Sequence, residues 1–381
     1  MDFSVPDDLQ ALAREVRSFV DERLEPISQQ VEDRDEIPAE ILKEMAGHGY
    51  FGLPFPRDYD GRGAGELGYC LALEQLGRVN AAYSNIIGAS CGLCGMTLWL
   101  SANEEQKQKY LRPLARGEII GGFCLTEPLA GSDAASLRTT AERHGDRYLL
   151  NGTKVYTTNG PIADILIVMA TMDRSLGAKG VTAFIVDTRS PGFKVVRPDK
   201  KMGLRGSVTG MLGFDDCEVP AENVIMGEGW GFIAALRTLD IGRISLAAGA
   251  VGAAQKALEL GIAYARQRVQ FEQPLIKNQA IQWPLAESAM EIHLARLGML
   301  HAAWKVDQGE PVTKEAAMVK LFASEMAGRV IDRVLQIHGG LGYMKESAIE
   351  RMYRDARILR IYEGTNEVQH MVIGSELFRE A

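Results

Sequence analysis

No stretch of the sequence is apolar for the ~20 residues that a membrane-spanning helix requires, so no span is expected. Basic runs are missing too, and a formal net charge of -8 speaks against a nucleic-acid surface. The acidic start, Met1 to Asp8, has neither the basic n-region nor the apolar core of a secretory signal. Cysteine is scarce: the five residues Cys70, Cys91, Cys94, Cys124 and Cys217 are odd in number and scattered, which suits a reducing compartment. Cys91 and Cys94 form a C-x-x-C, but no second pair or nearby histidine completes a zinc site. No metal is therefore expected, and the two thiols read as small buried hydrophobes. No G-x-G-x-x-G follows a strand pattern and opens a helix, which disfavours a Rossmann-type nucleotide site. Repeats and low-complexity segments are absent, and from Val79 through Asn103 there is no charged residue.

What is present is a chain of 381 residues, 46% hydrophobic and 24% charged, the composition of a globular protein with two or three domains. Leu9, Leu12, Ala13, Val16, Phe19 and Val20 share one helical face. Pro26 is expected to end that helix and Pro38 to open the next at its first helical position. A glycine-rich crossing from Gly47 to Gly65 leads to a third helical pattern, Glu66 to Gly77. After Gly121 the period changes. Tyr148 to Leu150, Ile165 to Met169, Thr182 to Val186 and Phe193 to Val196 are strand-like runs separated by Asn-Gly, Gly-Pro and Pro-Gly turns. From Gly231 the helical period returns, broken at Gln273-Pro274, Gly309 to Pro311 and Gly339-Gly340. The order predicts an α+β multidomain chain: an N-terminal helical domain over 1–120, a central antiparallel β-barrel or sandwich over 121–228, and a C-terminal four-helix bundle over 229–381.

Near the C-terminus, Ile361-Tyr362-Glu363-Gly364-Thr365-Asn366-Glu367 hangs one carboxylate on a glycine-broken turn between two helical patterns, Ile331 to Leu335 and Val368 to Phe378. On its own such a glutamate is a turn residue that could pair with Arg357 or Arg360. Preceded by Gln336-Ile337-His338-Gly339-Gly340-Leu341-Gly342-Tyr343, however, the segment resembles the FAD-dependent acyl-CoA dehydrogenases, and the resemblance extends over essentially the whole chain. In that family the glutamate of this turn removes the α-proton of an acyl thioester, which implies that Glu363 is the catalytic base. Some members carry the base instead just before an arginine that matches Arg243; here that position is Gly242, which cannot act as one.

The same resemblance implies the remaining site residues. Phe123 to Asp133 is similar to the first family signature, with Leu125, Thr126, Gly131 and Ser132 at the flavin, and Ser132 also toward the substrate. Val155 to Gly160 is similar to the second, with Thr158 toward the flavin N5 region and Tyr156 where many members have tryptophan. Arg268 and Phe271 match residues that grip the FAD of a neighbouring subunit, and Gln336, Gly339 and Gly340 match a segment that reaches the same FAD. Thr365 and Glu367 follow the base toward the diphosphate and ribose. Glu272 stands where glycine is common, so its carboxylate should point away from the diphosphate. Asp240, Arg243, Tyr362 and Gly364 match substrate positions, although Asp240 and Arg243, three apart on a helix, equally suit an internal ion pair. Ser207 and Thr209 resemble a loop near the carrier, and Ser84 occupies the position at which glutaryl-CoA members place an arginine.

Together these imply α,β-dehydrogenation of a neutral acyl-CoA to the trans-2-enoyl-CoA in fatty acid metabolism, with electrons leaving to an electron-transfer flavoprotein. A homotetramer in the bacterial cytoplasm is expected, or in the mitochondrial matrix if the source is eukaryotic. The alternatives are an acyl-carrier-protein thioester dehydrogenase and an oxygen-using flavin oxidase or monooxygenase on the same scaffold.

Overall fold

The computed structural model describes residues 4–380; the first three residues of the acidic start lie outside the described residues. The helix Asp7–Phe19 carries Asp7 and Asp8 in its first turn, where negative charge complements the helix dipole, and buries Leu12, Val16 and Phe19. It ends before Pro26. The chain widens at Val20–Leu24 and tightens into a short turn, Glu25–Ile27, where proline is tolerated near the start. Pro38 likewise sits one residue earlier than expected, as the extended cap of the helix Ala39–Gly47. The helix Gly65–Leu76 follows, its first N–H groups at Glu66 and Leu67 donating to the carboxylate of Asp307 at 2.7 and 3.0 Å.

The uncharged segment forms the helix Ala81–Ile87, opened by the Asn80 side chain, which accepts from the N–H of Ala82. It runs on into a wide turn at Gly88–Gly95 before Met96–Ser101. Such a widened turn inside a helix is a frequent mark of a functional site.

The central domain holds an eight-stranded sheet. Its strands are β1 (Gly121–Cys124), β2 (Thr140–His144), β3 (Arg147–Thr158), β4 (Ile165–Thr171), β5 (Val181–Asp187), β6 (Phe193–Pro198), β7 (Thr209–Pro220) and β8 (Val224–Ile225). Their order is β6-β7-β3-β2-β4-β5-β8, with β1 also on β4. Most pairs are antiparallel, as expected, but β1 and β2 both run parallel to β4, so the sheet is mixed. β3 slips register against β7 at Leu150/Gly152 and again at Lys154/Thr157. The second irregularity re-aims Tyr156, as bulges do beside functional sites.

The C-terminal domain packs Gly231–Gln267, Gln279–Asp307, Thr313–His338 and Asn366–Glu380, with the shorter Ala348–Ala356 against them. Their buried faces are rich in alanine, including Ala247, Ala254, Ala302 and Ala327, which lets the helices approach closely. The five cysteines are buried and unpaired, with Cys91 and Cys94 inside the wide turn. Among the described residues no helix is long and apolar enough to cross a membrane.

Candidate active site

A cavity of about 490 Å³ opens where the three helical and β segments meet. One wall comes from the uncharged segment, a second from the ends of β1 and β3, a third from Gly231–Gln267, and the fourth is the Tyr362–Thr365 turn. Three residues that line it, Tyr156, Leu204 and Glu363, hold φ at 58°, 53° and 54°. Non-glycine residues rarely adopt this left-handed region, and where they do the strain clusters at functional sites.

Glu363 reaches the cavity because of what is missing opposite it. A Cβ at Gly242 would stand 2.7 Å from Glu363 Oε2, so any side chain there would displace the carboxylate. That oxygen is buried and has no hydrogen-bond partner among the described residues. Burial pushes the carboxyl up to about 7, while the charges of Arg243 and Lys320 pull it down. Neither Arg357 nor Arg360 pairs with it; Arg360 instead faces Glu325 at 3.3 Å. Gly364, at φ 87°, completes the turn.

The backbone of that turn is held by polar side chains from several helices. Arg243 Nε and Gln369 Nε2 each donate to the Glu363 carbonyl at 3.3 Å. Gln369 also donates to the Gly364 carbonyl at 2.9 Å, as does Lys320 Nζ at 2.8 Å. Lys320, Gln369 and Asn366 escaped the sequence reading. A signal was available for the first: Lys320 lies on the same helical face as buried Ala316, Ala317, Ala323 and Ser324.

The predicted residues divide into two groups. Leu125, Thr126, Gly131, Ser132, Tyr156, Thr158, Arg243, Tyr362, Glu363, Gly364 and Thr365 line the one cavity. The loop bearing the first of these is braced by the buried pair Glu127–Lys154 at 2.7 Å, with Lys154 also donating to the Leu125 carbonyl. Asp240 does not line the cavity; it pairs with Arg243 at 2.8 Å and accepts from Thr313, so the internal ion pair is what forms. Arg268, Phe271, Gln336, Gly339, Gly340 and Glu367 are exposed on the single chain and lie outside the cavity. Phe271 is 97% exposed. It shares with Glu272 a tight two-residue hairpin turn between Val269–Gln270 and Gln273–Pro274, both residues left-handed at φ 50° and 64°. A turn of this kind favours glycine, which accounts for glycine being common where Glu272 stands. Ser207 is buried and accepts from Asn85 at 2.6 Å, tying its loop to the uncharged segment.

Models of the acyl-CoA dehydrogenase N-terminal, middle and C-terminal domains match residues 6–118, 122–217 and 229–378. The chain belongs to the acyl-CoA dehydrogenase family. It is an oxidoreductase, and its cofactor is FAD. Among its relatives, a 3-(aryl)acrylate reductase of Clostridium sporogenes is 44% identical over 95% of this chain and 96% of that protein. The butyryl-CoA dehydrogenase of Megasphaera elsdenii superposes with a TM-score of 0.97 at 42% identity, covering 99% of this chain and 100% of that one. A chain in the structure of the electron transferring flavoprotein of Acidaminococcus fermentans superposes with a TM-score of 0.98 at 41% identity over the full length of both.

The cavity suits a flavin on physical grounds. The hydroxyl-bearing residues Thr126, Ser132 and Thr158 line it, and hydroxyls both donate and accept. The ring of Tyr156, 72% exposed, offers a flat platform beside them.

Proposed function

We propose that this acyl-CoA dehydrogenase converts a neutral acyl-CoA to the trans-2-enoyl-CoA, with Glu363 as the base. The observation that carries the reading is the Glu363 carboxylate: strained, unpartnered at Oε2, and raised toward neutral pH inside the cavity. A base whose pKa lies near the working pH combines availability with strength. Bound FAD supplies the hydride acceptor for the β-carbon. Glu363 takes the α-proton, and its own backbone N–H holds the developing enolate oxygen. Thr126, Ser132, Tyr156 and Thr158 hold the flavin within the chain, while Arg268, Phe271, Gln336, Gly339 and Gly340 reach the FAD of a neighbouring copy in a homotetramer. Arg243 lies along the thioester.

Electrons leave to an electron-transfer flavoprotein, a reading supported by the likeness to the chain in the Acidaminococcus structure. The proposed compartment is the bacterial cytoplasm, or the mitochondrial matrix if the source is eukaryotic. The test is an anaerobic panel of acyl-CoA and acyl-carrier-protein thioesters, scored by bleaching of the flavin. Neutral acyl-CoAs should bleach it fastest; bleaching by carrier-protein thioesters alone would overturn the choice of carrier.

A second reading runs the same site in reverse, with protonated Glu363 delivering the α-proton to a 2-enoyl thioester. The relative named 3-(aryl)acrylate reductase favours it, as does a carboxyl that is half protonated near neutrality. Reoxidation of the reduced enzyme by 3-aryl-2-enoyl-CoA, faster than bleaching by any saturated acyl-CoA, would favour this direction.

A further inference from the structure

The turn that carries Glu363 is strained at Glu363, held at φ 54°, and passes on through Gly364 at φ 87°, so its conformation depends on what grips it from outside. One of the three gripping side chains is charged and wholly buried. Lys320 projects from the first third of Thr313–His338 with its side chain fully inside the protein. Its ammonium donates to the Gly364 carbonyl and to Asn366 Oδ1, both at 2.8 Å. Asn366 opens the helix that follows the turn and is fixed in its own right by Ser324 at 3.1 Å and Glu325 at 2.7 Å. Lys320 thus ties both ends of the three-residue span Gly364–Asn366 to one helix.

An ammonium is costly to bury unless its charge is used, and the two acceptors here are a carbonyl and an amide oxygen, which a neutral donor could serve as well. The charges facing it are Glu363 on the turn, Glu367 on the following helix, Glu325 on its own helix and Arg243 on Gly231–Gln267. We propose that Lys320 is a positioning residue of the reaction: its ammonium fixes the Gly364 carbonyl, and so the aim of the Glu363 carboxylate, while its charge offsets part of the cost of ionising that carboxylate in the cavity. Burial lowers Lys320 to about 8, and Glu363 is first among the groups that oppose this. The effect is mutual, since Lys320 is one of two cations that draw Glu363 down. Gln369 grips the same Gly364 carbonyl, and that of Glu363, without charge, and so separates the two parts of the role.

The inference rests on Glu363 being the base. Flavin-loaded K320M, K320Q and Q369L are compared with wild type for kcat and KM on pentanoyl-CoA from pH 5.5 to 9, with rates normalised to bound FAD. Losing the clamp should lower kcat by ~10- to 100-fold at pH 7 in K320M and K320Q, with KM changed by less than about threefold. The acid limb of kcat/KM should move upward by about 0.5 pH unit or more in both. Q369L should lower kcat and leave the limb where it is. An unmoved limb in K320M and K320Q overturns the proposal, as does failure of both to yield folded, flavin-loaded protein, since Lys320 is then a structural bolt alone. Glu363→Gln that is bleached by pentanoyl-CoA within tenfold of wild type would sink the base assignment itself, a distinct result.

Discussion

The Glu363 carboxylate is set in the cavity by one absent side chain and by grips on two carbonyls, and only part of that was legible in the sequence. The motif resemblance pointed to the residue, and Gly242 was read as unable to replace it. That Gly242 also vacates the space for the carboxylate is a contact across two helices, which no local pattern encodes. Its burial has a consequence for stability. The carboxyl is raised from 4.5 to about 7 on folding, so its favourable contribution is complete below about pH 4.5 and is lost as pH rises through about 7. Glu363→Gln never ionises. In the FAD-free protein it should melt above wild type at pH 8, by at most about 3 kcal/mol, and match wild type near pH 4.5. Equal melting at both pH values would show that the carboxylate is not desolvated. Glu272 makes a second residue-scale case. At φ 64° in a tight hairpin, replacement by glycine should relieve strain and stabilise by roughly 0.5–1 kcal/mol, read as a higher denaturant midpoint. A fall in the midpoint would mean that the glutamate side chain makes up for the strain.

Among the elements, long helices with a clear period were readable, and the strands less evenly so. β4 and β5 announce themselves as mostly apolar runs, Ile165 to Ala170 and Ala183 to Val186, because these stretches are buried on both faces. β1 is two glycines, a phenylalanine and a cysteine, and β7 passes through the exposed pair Asp215–Asp216, so neither has a two-residue alternation to detect. The parallel pairing of β1 with β4 depends on how the chain enters the sheet from the helical domain, which is again a non-local matter. The uncharged segment was legible, and its consequence is chemical. Ser84 lines the cavity, and Arg243, the one cation among the described lining residues, is already paired with Asp240. A distal carboxylate would therefore be buried unpaired at a cost of several kcal/mol, whereas one methylene changes binding by only ~1 to 3 kcal/mol. Glutaryl-CoA should give kcat/KM at least ~100-fold below pentanoyl-CoA on one enzyme preparation. Parity between the two would mean that a cation from another segment enters the pocket.

On the scale of the whole molecule, six of the thirteen residues expected at the cofactor are exposed and lie outside the cavity of their own chain. Arg268, Phe271, Gln336, Gly339 and Gly340 are exposed together with a broad set of apolar side chains on the C-terminal helices, among them Trp283, Met290, Leu294 and Trp304. Exposed apolar surface of this kind marks an interaction face. If these residues complete the FAD site of a neighbouring copy, cofactor and assembly are linked by mass action. Arg268→Ala should then lose FAD and tetramer together in sedimentation, and added FAD should restore part of the tetramer. Full flavin retention through gel filtration would remove Arg268 from the site.

The central claim is that one carboxylate of this assembled flavoenzyme starts the reaction. Anaerobic stopped-flow bleaching by pentanoyl-CoA, measured for wild type and Glu363→Gln at equal FAD content, tests it most directly. The expected result is loss of at least ~10²- to 10⁴-fold in the bleaching rate, with FAD still bound, and a wild-type rate that rises with pH through about 7 as Glu363 ionises. A variant that bleaches within tenfold of wild type, or a wild-type rate flat across that range, would contradict it.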